Sequence, residues 1–326
     1  MADIITVGEI LVEIMAMRTG QRFDEAGSLM GPFASGAPAI CIDQAARMGA
    51  SCAIIAKVGD DAFGRLCINR LSADGVDISG IITDSRYTTG TAFVTYLSDG
   101  NRSFIFHFAE SAAGYLSEAD IREDLVKGAR YLHVMGCSLS AGSRLRNAVI
   151  SAVRMAKGQG IKISFDPNIR PELLSDHKVG DIFQEVLANT DILLSGESEL
   201  MALTGNNDVE ETLRMLQSGG TALIVLKNGR KGIRVITGEE DFFEPAFVVE
   251  EIDATGAGDC FDGAFLACLL EGMPLREAVH VANAAGALSV TKKGPMEGAH
   301  FKQEVMAFLE ANEEYIVQTK KQVYEK

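Results

Sequence analysis

The sequence predicts an α/β chain with a mostly parallel central sheet flanked by helices, and three observations carry that reading. Apolar strand-like runs alternate with helix-like runs of about 10–15 residues, the spacing that crossover connections require. The chain has 326 residues, 47% of them hydrophobic, enough to bury a large core. No internal repeat, low-complexity run or interdomain linker breaks the alternation, so residues 1–326 read as a single domain.

The elements follow in order. Ile4 to Val7 is a short buried strand. Ser35-Gly36-Ala37-Pro38 opens a helix through Met48, with Pro at a favoured first-turn position and Gly49 as the stop. Ala53 to Val58 is a second buried strand, and Asp61 to Asp74 a helix ending at Gly75. Thr91 to Leu97 and Arg102 to Phe108 form a hairpin across Ser98-Asp99-Gly100-Asn101, whose Asp-Gly and Asn signal a tight turn. Its alternation is imperfect, which suits strands that stand off the body and cover something. Strands at Tyr131 to Met135, Lys162 to Phe165, Asp191 to Leu194 and Ala222 to Leu226 are separated by helices. Those helices lie at Ser143 to Lys157, Val179 to Ala188, Glu197 to Leu203 and Val209 to Gln217. A second hairpin begins at Gly232 to Thr237. Cys260 to Leu270 is apolar on nearly every side and reads as a buried helix. Pro274 starts a last long helix through Leu288. The charged tail from Glu310 to Lys326 reads as a surface helix or frayed end.

Composition excludes several functions. The net charge is −15, from 45 acidic and 30 basic residues. No basic stripe is visible, so nucleic acid is not an expected partner. An acidic protein that handles phosphates must use local positive features. The 6 cysteines are scattered without a CxxC pair and read as small core residues of a reducing cytoplasm. The N-terminus lacks the basic start and long apolar run of a signal peptide, and no stretch reaches the length of a membrane span. A cytoplasmic protein is expected.

The run Asp253-Ala254-Thr255-Gly256-Ala257-Gly258-Asp259 carries the chemistry. Gly256 and Gly258 remove side chains at a loop-to-helix junction, where unpaired N–H groups meet the positive end of the helix dipole and form an anion cradle. Asp259 puts a carboxylate at its mouth. That carboxylate serves either as a helix cap or, in phosphoryl transfer, to orient an attacking hydroxyl and take its proton. The run is not a Walker A loop, since no Gly-Lys-Ser/Thr follows it.

That run resembles the C-terminal signature of the ribokinase-like (PfkB) carbohydrate kinases. Ser35-Gly36-Ala37-Pro38-Ala39, then Gly49 and Val58-Gly59-Asp60-Asp61-Ala62-Phe63-Gly64, resemble the N-terminal signature. Asp166-Pro167-Asn168-Ile169-Arg170 resembles a mid-chain motif of the fructokinase and ketodeoxygluconate-kinase branches, and the chain is similar to bacterial sugar kinases of the tagatose, fructokinase and ketodeoxygluconate kinase group. The resemblance implies a three-layer sandwich with a small β-sheet lid from about 11–33 and 89–108, and a homodimer through the lid. It implies transfer of the ATP γ-phosphate to a sugar hydroxyl, with Mg²⁺.

By the same resemblance Asp259 is the catalytic base, and Gly256, Ala257 and Gly258 form the anion hole. Glu13, Gly36, Ala37, His107, Asn168 and Arg170 would face the sugar. Lys227, Gly229, Thr255, Gly256, Gly258, Asn283 and Gly286 would bind the nucleotide. Glu199 would act through water on Mg²⁺, with Gly196 in place of the family Asn. Asp253, with Lys293-Gly294-Pro295, would be the place for a K⁺ ion. Departures gather at the sugar. Glu13 replaces an Asp, Ile40 an Asn, and His107 and Phe108 a Tyr and Arg that read a substrate carboxylate. Loss of that Arg would remove a charge-assisted pair of about 1.5–3 kcal/mol, which favours a neutral ketohexose such as tagatose or fructose. A ketodeoxygluconate or nucleoside kinase is the alternative, and a sugar-binding regulator without catalysis a third.

Overall fold

The computed structural model describes residues 1–97, 102–169 and 179–312. The chain runs β1 (Ile4–Val7), β2 (Leu11–Ala16), β3 (Leu29–Ser35), α1 (Ala37–Arg47), β4 (Cys52–Gly59), α2 (Ala62–Ala73), β5 (Ile81–Asp84), β6 (Gly90–Tyr96) and β7 (Arg102–His107). It continues through α3 (Glu123–Val126), β8 (Tyr131–Met135), α4 (Gly136–Ser140), α5 (Ser143–Gly158), β9 (Lys162–Asp166), α6 (Val179–Leu187), β10 (Ile192–Ser195), α7 (Glu197–Thr204), α8 (Val209–Ser218) and β11 (Leu223–Lys227). Then come β12 (Ile233–Thr237), β13 (Asp241–Glu244), α9 (Ala257–Leu270), α10 (Leu275–Ser289) and a helix from 302.

The main sheet has the order β13-β12-β11-β10-β9-β8-β1-β4-β5. It is parallel from β11 to β5, and the hairpin β12–β13 extends one edge antiparallel. Its inner strands are apolar on both faces because helices cover both. In β4, Ile54, Ala56 and Val58 join one core with α1, α2, α9 and α10. Ala53 and Ile55 point the other way, into a core with α5, α6, α7 and α8. The result is the three-layer α/β sandwich expected from the alternation.

A second sheet, β3-β2-β6-β7, forms the lid, with β2 and β6 parallel at its centre. The hairpin β6–β7 is where the sequence puts it; its turn at 98–101 lies outside the described residues, as does the tail from 313. Several elements escape the sequence reading, among them β5, α3, α4 and the helix from 302. The edge strand β5 has 4 residues and pairs only with β4, too short to show a period. The helices α3 and α4 have 4 and 5 residues, about one turn each.

Two close approaches aim α1 and α9 at the same place. A Cβ on Gly263 of α9 would stand 2.1 Å from Cys41 O of α1, so only glycine lets these helices cross there. Gly36, in the left-handed region at φ 110, caps the N-terminus of α1. Gly256, at φ 81, does the same for α9. Both N-termini open at the C-terminal end of the parallel strands, where ligands bind in such sheets.

His133 lies in the inner strand β8, fully buried, with Nδ1 3.1 Å from Ser164 Oγ. Burial lowers its pKa to about 4. The unfolded chain therefore binds more protons on this ring than the native chain between about pH 4 and 6.5, so stability rises with pH across that window and is lost as pH falls through it. Denaturant titration at pH 5 against pH 7 is expected to show about 2 kcal/mol less stability from this group, and His133→Gln should flatten that part of the slope.

Candidate active site

A cavity of about 540 Å³ lies between the lid and the strand ends, within the size range of small-molecule sites. At the lid end it is walled by Leu11, Glu13, Ala92, Phe104, Phe106 and Phe108, with Glu9, Ser35, Gly36 and Ala37 below. At the far end Ile233, Phe247, Val248, Val249, Asn283, Gly286 and Val290 make an apolar slot. Between the ends sit Asp166, Asn168, Glu199, Lys227 and the run from Thr255 to Asp259.

Helix α9 starts within the run 253–259. Gly256 is the N-cap residue and supplies no side-chain cap. The N–H of Gly258, second in the helix, has no preceding turn to bond to. Asp259 is the third helical residue rather than the cap, which removes the capping alternative. It is buried, and its Oδ1 accepts a 3.1 Å hydrogen bond from Asn168 Nδ2.

Around this pair the charges are buried and matched. Lys227, at the end of β11, donates to Asp166 Oδ2 at 2.9 Å and to Asp262 Oδ1 at 2.7 Å. Burial would depress the lysine pKa, but the two carboxylates outweigh it and hold it well above normal. Asp166 pays the burial penalty too, yet Lys227 draws it below the usual carboxylate range. Burial pushes Asp262 well above that range despite the lysine. Lys227 lines the cleft, with its ammonium turned to two aspartates.

Glu199 opens into the cleft from the first turn of α7, where Oε2 accepts from Gly196 N at 2.9 Å and Oε1 from Ile169 N at 3.0 Å. The replacement of the family Asn by Gly196 therefore keeps a backbone donor on this carboxylate. Magnesium keeps most of its water and takes one or two carboxylates, so this position fits a metal held through water. Among the described residues no group of three His, Cys, Asp or Glu is arranged to ligate an ion directly. Asp253 lies behind the cavity wall. Its Oδ1 accepts from Thr255 N at 3.1 Å and Thr255 Oγ at 2.8 Å, and its Oδ2 from Tyr96 OH and Gly294 N at 3.0 Å each.

The structure thus brings Glu13, Gly36, Ala37, Asn168, Glu199, Lys227, Gly229, Thr255, Gly256 to Asp259, Asn283 and Gly286 to one cleft. Arg170 lies outside the described residues. His107 is a correction. In β7 the residues Arg102, Phe104 and Phe106 turn inward and line the cavity. Strand alternation sends Ser103, Ile105 and His107 to the outer face. There His107 stacks edge-on against Phe93 at 6.2 Å.

The same alternation reveals what sequence reasoning missed. The lid does bring an arginine to the cavity, from the other end of the strand: Arg102 Nη1 donates to Thr255 Oγ1 at 2.8 Å. Glu9 was missed as well; Ser138 Oγ and Cys137 Sγ donate to it. Its position after β1, at a strand's C-terminal end, was the available signal. Segment 246–249 belongs to no helix or strand and gave none.

The model of the family described as pfkB family carbohydrate kinase matches residues 1–301. Fructokinase-1 of Oryza sativa subsp. japonica is 33% identical over 317 residues, 94% of this chain and 98% of its own. A provisional ribokinase II of E. coli, solved with ATP and Mg²⁺, superposes with a TM-score of 0.90 at 43% identity, covering 95% of this chain and 100% of that one. The fructokinase of Vibrio cholerae O395, solved with fructose, ADP and calcium, gives 0.83 at 29% identity, covering 94% and 99%.

The left-handed Gly256 is tightly constrained: a Cβ there would stand 2.5 Å from Pro295 O. Gly256→Ala is expected to lower stability by about 1–3 kcal/mol, measured by denaturant unfolding, and to reduce turnover because the cradle must shift.

Proposed function

The chain belongs to the pfkB family of carbohydrate kinases, and from that premise we propose that it transfers the γ-phosphate of ATP to a hydroxyl of a neutral ketohexose, with fructose the favoured acceptor. It is a sugar kinase; the choice of fructose draws on its similarity to plant fructokinases at 33–34% identity. The observation that carries the mechanism is the pairing of Asp259 with Asn168 at the N-terminus of α9, inside a cleft with a polar lid end and an apolar far end.

In this reading the sugar lies under the lid, with Glu9 and Glu13 accepting from its hydroxyls. The apolar slot beside Asn283 and Gly286 takes the adenine. Asp259 receives the proton of the attacking hydroxyl. The N–H groups from Gly256 to Gly258 stabilise charge on the phosphoryl group as it moves. Glu199 holds the water shell of magnesium, which when bound neutralises phosphate charge. The lid excludes water, a competing acceptor. Arg102 is engaged by Thr255, which is compatible with an uncharged acceptor.

The outer lid face supports a homodimer. Leu29 and Ile105 are 44% and 42% exposed there, beside the edge-on chain Phe23–Phe93–His107. Six free, buried cysteines support a reducing, cytoplasmic setting. No helix among the described residues is long and apolar enough to cross a membrane.

General-base assistance is typically worth about 10²–10⁴ in rate, so Asp259→Asn should lower kcat by that order while circular dichroism stays unchanged. ATP consumption across fructose, tagatose, aldoses, sugar acids and nucleosides should be greatest with a ketohexose. Greatest turnover on a sugar acid or nucleoside would overturn the acceptor assignment, and tight sugar binding without turnover would overturn the kinase mechanism.

A further inference from the structure

We infer that Lys227, with Asp166 and Asp262, forms a buried bracket that positions Asn168 against Asp259, making all three positioning residues for phosphoryl transfer. The inference rests on the reading of Asp259 as the base.

The hydrogen bonds close a ring. Asp259 Oδ1 accepts from Asn168 Nδ2 at 3.1 Å, and Asn168 N donates to Asp166 Oδ1 at 2.8 Å. The other oxygen, Asp166 Oδ2, accepts from Lys227 Nζ, which also donates to Asp262 Oδ1. Asp262 stands three residues after Asp259 on α9, hence on the same helix face. The ammonium therefore fixes both partners of the Asn168–Asp259 bond. It holds Asn168 through Asp166, at the end of β9, and it holds the helix of Asp259 through Asp262.

Two features show that this arrangement does more than fill a core. Asn168 is the only non-glycine residue with positive φ among those described, at 39°, a conformation that persists where its surroundings over-determine it. The Asp166 carboxylate, two residues back, supplies that constraint, and it is itself aimed by the lysine. At the other end of the bracket Asp262 Oδ2 and His133 Nε2 face each other at 4.0 Å, neither hydrogen-bonded to another of the described residues. The bracket faces the cleft through Asp166, Asn168 and Lys227, which line it. A Cβ on Gly258 would stand 3.5 Å from Lys227 Nζ, so the ammonium lies against the cradle it supports.

A lysine that binds phosphate and a lysine that aims the base differ in kinetics. Removing a phosphate ligand raises the KM for ATP; removing an aiming group lowers kcat and leaves KM alone. Lys227→Met alone strands a buried carboxylate, so the test uses Lys227→Met with Asp166→Asn, which removes both charges of the pair. With fructose and MgATP, kcat should fall about tenfold or more, while both KM values stay within about twofold. In an Asn168→Ala background the same pair should lower kcat no more than about twofold further, because groups acting through one another are not additive. A raised KM for ATP with kcat unchanged, or losses that multiply with Asn168→Ala, would overturn the bracket. Asp259→Asn is run beside them. If it keeps its turnover, the base reading falls and the bracket with it. If it loses turnover while the double variant keeps kcat, the bracket alone falls.

Discussion

The site depends on one carboxylate that never reaches the cleft. Asp253 accepts from Thr255 twice, from Gly294 and from Tyr96, and it is buried. Those donors belong to the anion loop, to the segment after α10 and to lid strand β6. Hydrogen bonds to a buried charge are worth about 1.5–3 kcal/mol each, and an unpaired buried charge is strongly unfavourable. The three parts are therefore held together or lost together. Thr255 extends the joint by accepting from Arg102 of β7, so the lid is tied at two strands to the loop that begins α9.

The segment after Gly294 is fixed from its other side. Arg70 Nη2 donates to Met296 O and Arg47 Nη1 to Ala299 O, each at 2.7 Å. Both arginines also pair with Asp74. These bonds fasten Pro295, whose carbonyl leaves Gly256 no room for a side chain, to α1 and α2. The left-handed turn at Gly256 is thus imposed by packing, and the direction of α9 follows from it. In a chain of net charge −15, positive potential for a phosphoryl group has to be built locally. The N-termini of α1 and α9 are the local features available for it.

Much of this was legible in sequence because it obeys local rules. Alternation of apolar runs gave the parallel sheet, and the glycines of 256–258 gave the cradle. What stayed hidden depends on phase and on distant partners. The pairing of Ala92 with Phe106 and of Tyr96 with Arg102 sets which face of β7 turns inward; a shift of one residue reverses it. Reading His107 as a sugar contact fails on that phase, and Arg102, beside the turn, is inward for the same reason. A lysine at a strand end gives no hint that its partners stand 61 and 35 positions away.

The two residues Asn168 and Ile169 then link functions that the motifs kept separate. The N–H of Asn168 is taken by Asp166, and that of Ile169 by Glu199. Two carboxylates from different elements thus hold consecutive peptide groups, and between them lies the one non-glycine residue with positive φ described in the chain. Such a conformation would relax if either constraint were lost. The carboxylate facing the metal position and the amide facing Asp259 therefore share a single turn of backbone. Displacing Glu199 tilts Asn168, and displacing Asn168 moves the peptide that aims Glu199. The positions proposed for the metal and the base are thereby coupled through one turn of backbone.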